Sequence, residues 1–440
     1  MEVTVMPVSD QLIETMPVVT SSASHRYPLS LYLHIPFCEA RCTYCDFNTY
    51  AGLDGLKPAY TRALATEIQR AGQAVSAGGE PLPVRTIFLG GGTPTTLDLA
   101  QLATVLDACR VMFAVSANAE VTSEANPGTL EPGYLVGLRR MGINRLSLGV
   151  QSFDDGLLSL LGRIHTAAEA VATIHDARQA GFDNLSLDLI YGLPLQTLDQ
   201  WRETVMRALD LEPDHLSCYA LTVEDPTPLY AQVMQGKLPW PDPDLAADMY
   251  DLTREMLAEA GFVHYEISNW GKVACRHNLT YWHNEPYLGF GAGAHSWFGG
   301  RRFHDILNPR QYIRAVKSGR WPVAWRETIS PSLEMAETAI LGLRLVQEGI
   351  EQARFRARFG RDLDEVFGRE LTELKALKLI EETPERVTLA PAALLIANQV
   401  FVRLLPDDEG PTTNDEPPGM DAVGRSSFVV RPVTDLLDEP

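Results

Sequence analysis

The sequence predicts an α/β protein, built as a partial (β/α)6 barrel followed by a small, mainly helical, winged-helix-like C-terminal domain. Three observations carry that expectation. Between residue 29 and about 235, six short apolar runs alternate with amphipathic runs whose apolar residues recur three or four apart. Strand-helix units in succession require a parallel sheet covered by helices. A closed eight-unit barrel takes about 250 residues, so six units over this shorter stretch fit a barrel left partly open. Beyond residue 305 the period is helical, broken by one short strand-like run, ERVTLA, which suits a wing.

Residues 1–28 show no sustained periodicity and are expected to pack as an arm or stay disordered. The strand candidates are SLYLHI (30–35), RTIFLG (85–90), AEVTSE (119–124), RLSLGV (145–150), NLSLDLIYG (184–192) and HLSCYAL (215–221). Between them AYTRALATEIQRAGQA, LAQLATVLDACRVM, AAEAVATIHDARQAG and LDQWRETVMRALD read as helices. The chain then turns on Pro239, Pro241 and Pro243, enters a helix ending at Gly261, and offers VHYEISNW as a further strand. Residues 29–305 are therefore read as the core. Residues 306–405 form the C-terminal domain, with MAETAILGLRL, DEVFGRELTELKALKLI and APAALLIANQVFVRLL as its strongest helical segments. Residues 406–440 hold nine acids, two arginines and six prolines, the composition of a disordered acidic tail.

The 440 residues carry a net charge of −20, of which −7 falls in that tail. An acidic surface repels phosphate backbones and anionic lipid, so nucleic acid and membrane are poor candidate partners. No run of 18 apolar residues occurs, and the first 17 residues hold three carboxylates and no base. The expectation is a cytoplasmic protein without an integral membrane segment. Six cysteines in a chain this long, with Cys109, Cys218 and Cys275 scattered, do not make a disulfide framework.

Cys38, Cys42 and Cys45 stand in the spacing C-x3-C-x2-C directly after the first strand. Structural zinc wants four ligands, and no second pair follows at finger-like spacing. A c-type haem attachment needs C-x2-C-H, yet Asp46 follows Cys45. A redox pair would use Cys42 and Cys45 and leave Cys38 idle. A 4Fe-4S cluster remains: it normally takes four thiolates, so three leave one iron open to an exchangeable ligand.

C-x3-C-x2-C followed by IFLGGGTPT resembles the radical S-adenosylmethionine (SAM) enzymes. YLHIPFC, LGGGTPT, EANPGTL, RLSLGVQSF, LGRIHT and DLIYGLP together resemble the oxygen-independent coproporphyrinogen III oxidase family, over about residues 29–380. The resemblance implies a 4Fe-4S cluster on the three cysteines and SAM on the open iron, reduced by a low-potential electron donor. It assigns Gly91, Gly92 and Thr93 to SAM, with Tyr32 beside the cluster, and places Glu124, Gln151, Arg163, Asp188 and Tyr44 at SAM as well. Read from the residues alone, Glu124, Gln151 and Asp188 sit at or near strand ends, where they can accept from hydroxyl or ammonium groups, and Arg163 suits a carboxylate; capping or an internal hydrogen bond is the lesser alternative.

The true oxidase continues as C-x3-C-x2-C-x-C, whereas Phe47 stands here. That difference, with HNLTYW at 277–282, resembles instead the HemW-like haem chaperone branch, which binds haem and passes it to an acceptor protein. The branch implies His277 as a haem candidate; on its own, a histidine near Tyr and Trp is more often packed and hydrogen-bonded. His34, His283 and His295 are competitors. The alternative is an oxidase that decarboxylates propionate side chains by radical chemistry.

Overall fold

The computed structural model describes residues 28–76 and 79–406. The expected arm and acidic tail lie outside the described residues, apart from their edge positions 28 and 406. All six core strands form: β1 (Leu29–Ile35), β2 (Pro83–Gly91), β3 (Ala114–Ala125), β4 (Arg145–Gln151), β5 (Leu185–Tyr191) and β6 (His215–Ala220). Six further strands follow along the chain: β7 (Val263–Glu266), β8 (Asn269–Gly271), β9 (Tyr287–Phe290), β10 (His295–Phe298), β11 (Arg301–Asp305) and β12 (Val323–Thr328). Several of the intervening helices start on side-chain caps that the sequence supplies. Asp98, Thr166 and Thr197 each close a capping box with Gln101, Glu169 and Gln200.

The chain divides into two compact units. One takes in the described residues up to Glu39, with Asn48–Val121 and Pro286–Thr328; the other takes in Ala40–Phe47, Thr122–Glu285 and the residues from Ile329. In the first unit β1 lies between β2 and β9, parallel to both, and β10, β11 and β12 continue antiparallel. β1 is buried nearly throughout: Leu31, Leu33 and Ile35 are wholly enclosed, and they alternate with Ser30, Tyr32 and His34. Because β12 pairs with β11, the expected boundary at 305/306 falls inside continuous sheet. Half-exposed VAWRET reads weakly as a strand, since alternate positions face water.

In the second unit β4, β5 and β6 are parallel neighbours, and β8 then β7 add antiparallel beyond β6. The single strand expected at VHYEISNW is thus a hairpin. From residue 329 onward the expected winged-helix-like domain forms. Helices Pro331–Arg344, Gln352–Phe359 and Leu363–Ala376 accompany a small antiparallel sheet, in which β15 (Arg386–Leu389) lies between β13 (Ile350–Glu351) and β14 (Ile380–Glu382). One helical expectation fails: APAALLIANQVFVRLL is broken into the turns Pro391–Ile396, Ala397–Phe401 and Val402–Leu404. None of the three starts on a side-chain cap, and β-branched Ile396, Val400 and Val402 resist a continuous helix.

The scattered cysteines are core residues. Cys109 fills the stripe Leu102, Val105, Leu106, Cys109 of its helix, and burial pushes its thiol up to about 12. Cys218 and Cys275 are equally enclosed.

Candidate cofactor site

In the first unit, the end of β2 lies hard against the chain that leaves β1. Gly92 N donates to Ile35 O at 2.9 Å and Thr93 N to Phe37 O at 2.8 Å. A Cβ on Gly92 would stand 2.7 Å from Phe37 O, and one on Gly91, whose φ is +106°, would strike the His34 ring. The family resemblance assigns these glycines to SAM. Gly92 first admits the chain's own backbone and Gly91 the His34 ring, and the N–H groups of Gly92 and Thr93 are committed to that backbone. Thr93 Oγ1 reaches on to Cys38 Sγ at 3.7 Å.

Tyr32, half-buried on β1, stacks on Phe88 and places its hydroxyl 3.1 Å from His34 Nδ1; His34 Nε2 lies 3.0 Å from Asn48 O. Burial pushes His34 down to about 4, so the ring is neutral at pH 7. A neutral ring facing a carbonyl at Nε2 carries its proton there, so Nδ1 accepts from Tyr32.

In the second unit, Thr43 anchors the remaining cysteines. Its N–H donates to Leu161 O, its hydroxyl to Leu160 O, and its carbonyl accepts from Leu229 N, all within 3.0 Å. Gly162, at φ +70°, permits this approach: a Cβ there would lie 3.0 Å from Thr43 Cγ2. The next residue, Arg163, donates to Cys42 Sγ at 3.2 Å and, through its other terminal nitrogen, to Asn126 Oδ1 and Gly149 O at 2.7 Å. Burial opposes that charge, but the Tyr44 hydroxyl and the Cys42 thiol outweigh the cost. Tyr44 packs against the Leu157, Leu161, Ile190, Leu193 cluster, and burial pushes its hydroxyl up. Asn126 is a site residue that the sequence reading missed, although it lies within EANPGTL.

Glu124 stands at the penultimate position of β3 and Gln151 at the last of β4. Gln151 has φ +66°, where non-glycine residues are strained, and a pairing irregularity between Gly149 and Gln151 redirects it. Asp188 departs from expectation: it is the fourth of seven residues in β5, not at the strand end. It is held there by Ser147 Oγ at 3.0 and 3.1 Å from its two oxygens, and burial raises its carboxyl. A strand interior that reads L-S-L-D-L puts Ser186 and Asp188 on one face, and Ser147 of β4 supplies the donor.

Among the described residues no three His, Cys, Asp or Glu side chains stand together as a preformed metal cage. The donor chemistry nonetheless fits an iron-sulfur group: three half-buried thiols within eight residues, none in a disulfide, with donors aimed at two of the sulfurs.

Known proteins agree. The radical SAM superfamily model matches residues 32–208, and the HemN C-terminal domain model matches 329–396, where the helix at Pro331 begins. A solved structure described as coproporphyrinogen III oxidase (HemN) from Escherichia coli, a radical SAM enzyme, is 25% identical. It superposes with a TM-score of 0.75 over 87% of this chain and 92% of that one. The protein named heme chaperone HemW of Bacillus subtilis is 38% identical over 84% of this chain and 98% of its own length; that of Mycobacterium tuberculosis H37Rv is 39% identical over 75% and 85%. The chain belongs to the heme chaperone HemW family of radical SAM proteins.

The histidine singled out for this HemW-family chain has a closed setting. His277 is 1% exposed, in the seven-residue helix Arg276–Trp282, and its Nε2 lies 3.0 Å from the Tyr281 hydroxyl. Of its competitors, His283 pairs with Glu348 at 2.8 Å, and burial, with His304 second, pushes His295 down to about 3. No described helix is long and apolar enough to cross a membrane.

Proposed function

We propose that this chain is a haem chaperone of radical SAM type. It binds a 4Fe-4S cluster through Cys38, Cys42 and Cys45, binds SAM, takes up haem and hands it to an acceptor protein. One observation carries the reading: a match through almost the whole length of relatives named heme chaperone HemW. Phe47, half exposed two residues after Cys45, supports it, because a benzyl side chain offers no thiol where the oxidase pattern has one.

When bound, the cluster supplies an iron with an open coordination position for the amine and carboxylate of SAM. Arg163 and Thr93 donate to the sulfurs of Cys42 and Cys38, and donors so placed would tune the reduction potential of a cluster held there. Tyr32, Tyr44, Gly91, Gly92, Thr93, Glu124, Gln151, Arg163 and Asp188 form the SAM site. Within it Glu124 and Asp188 provide acceptors for hydroxyl or ammonium groups, while the strained Gln151 is fixed in direction by its bulge. A low-potential donor delivers the electron, and a reducing compartment such as the cytoplasm suits six thiols. His277 is the candidate haem ligand, and its closed setting means that iron reaches it only when the helix Arg276–Trp282 opens.

The second reading is an oxygen-independent coproporphyrinogen III oxidase, favoured by the likeness to the Escherichia coli oxidase structure. Anaerobic incubation of the reconstituted protein with coproporphyrinogen III, SAM and a reductant separates the two. The chaperone takes up haem stoichiometrically and releases no carbon dioxide, whereas protoporphyrinogen formation would establish the oxidase.

A further inference from the structure

Behind Asp188 runs a line of buried polar groups that the candidate cofactor site does not use. Ser186 Oγ lies 3.5 Å from Asp188 Oδ1 and 2.8 Å from His215 Nδ1. On the far side of the ring, His215 Nε2 lies 2.8 Å from the Tyr265 hydroxyl, which Asn278 Nδ2 approaches at 3.5 Å. The secondary structure sets this order: Ser186 of β5 is in register with His215 of β6, Tyr265 stands on β7, and Asn278 follows His277 in its short helix. Ser186 and His215 have no exposed surface, and Tyr265 is 7% exposed.

Burial first and the Arg145 charge second keep His215 neutral. A neutral imidazole carries one N–H, so it donates at one nitrogen and accepts at the other. Two arrangements satisfy it with the same number of protons. In the first, Tyr265 donates to Nε2, Nδ1–H donates to Ser186, and Ser186 donates onward to the Asp188 carboxylate. In the second, Ser186 donates to Nδ1 and Nε2–H donates to Tyr265, whose own proton turns to another acceptor. The first gives an ionised Asp188, which already accepts from Ser147, a further donor, and it suits the Asn278 amide donating to the Tyr265 oxygen. A ligand that supplies its own donors to Asp188 frees the Ser186 proton and lowers the cost of the second. Each end therefore senses which arrangement the other imposes.

We propose that His215 is a positioning residue that links occupancy of Asp188 by a hydroxyl or ammonium donor to the opening of the helix bearing His277 and Asn278. Cofactor binding and haem binding are thereby coupled through Ser186 and Tyr265. This rests on the reading of Asp188 as a SAM contact and of His277 as the haem ligand.

The test uses the full chain, anoxically reconstituted, with SAM as the probe. Backbone hydrogen exchange in Arg276–Trp282 is read with and without SAM, and haem is titrated under both conditions. In the wild type, SAM changes the exchange rate and the haem Kd by about fivefold or more. Tyr265→Phe, which removes only a hydroxyl, brings both ratios to about one while leaving SAM affinity nearly as it was. Ser186→Ala, its own SAM affinity measured alongside, also brings both ratios to about one and serves if the first variant folds poorly. An undiminished SAM response in both folded variants, or a wild type that binds SAM without altering the helix, overturns the coupling. Failure of the underlying reading looks different: Asp188→Asn leaves SAM affinity unchanged, or the wild type takes up no haem, and the coupling then falls with it.

Discussion

The cysteine segment keeps its candidate ligands half-exposed, with their neighbours already aimed at the sulfurs, whereas the helix Arg276–Trp282 keeps His277 at 1% exposure with its Nε2 on a tyrosine hydroxyl. The first region has the character of a resident site. Thr43 fixes its backbone by three hydrogen bonds, and Arg163 brings a positive charge to Cys42 at 3.2 Å. The second is closed, and a haem held at His277, as proposed, would have to open it at a cost. A cofactor kept for the life of the protein and a cargo that must be given up call for these two designs respectively.

That contrast can be broken at its strongest point first. Cys42→Ser removes one of three soft donors and is expected to abolish iron and acid-labile sulfide in reconstituted protein, read by elemental analysis and the visible spectrum; retained iron would remove the cysteine from the site. Arg163→Met leaves Asn126, Gly149 and Cys42 without a charged donor, a loss of about 3 kcal/mol read by denaturant unfolding. The same variant shifts the cluster reduction potential. Acid should act on the buried histidine beside Tyr32. His34 is held at about 4, while its unfolded value is near 6.5, so the unfolded state binds the extra proton. Stability is therefore fully present above pH 6.5 and is lost as pH falls towards 4, by about 3 kcal/mol from this residue. Unfolding midpoints across that window, compared with His34→Gln, give the contribution.

Smaller effects sharpen the closed side and the strained strand end. His277→Ala should weaken haem binding about tenfold, or about 1.4 kcal/mol, and alter the haem spectrum. An unchanged titration would leave His277 as the packed residue its surroundings describe. Gln151→Gly relieves a left-handed backbone and should raise stability by up to about 1 kcal/mol while weakening SAM binding. A melting curve and a SAM titration on one preparation decide it.

The six core strands and the helices between them were legible because the strands set apolar residues at alternate positions or in short runs, while the helices repeat them at three and four residues. Leu99–Met112 and Leu198–Asp210 fall where their patterns begin and end, since each starts on a capping box. Strand β12 was not legible, because half of its residues face water, and the last helical run failed for want of caps. In the site, the three cysteines were visible as spacing, and Gly91–Thr93 through the family resemblance. The reason for the glycines was not: only coordinates show that Phe37 and His34 fill the space a side chain would need. Asp188 was expected near a strand end from its polarity, and Ser147 on the neighbouring strand explains how it survives in the middle. Asn126 went unassigned because its partner, Arg163, lies 37 residues away along the chain.

The most direct measurement of the chaperone assignment is haem transfer. Anoxically reconstituted protein is loaded with haem, separated from free haem, and mixed with an apo haem protein whose spectrum differs. The account predicts that the acceptor gains haem as the chain loses it, with no carbon dioxide released from coproporphyrinogen III under the same conditions. Decarboxylation of coproporphyrinogen, or a chain that never takes up haem, would contradict it.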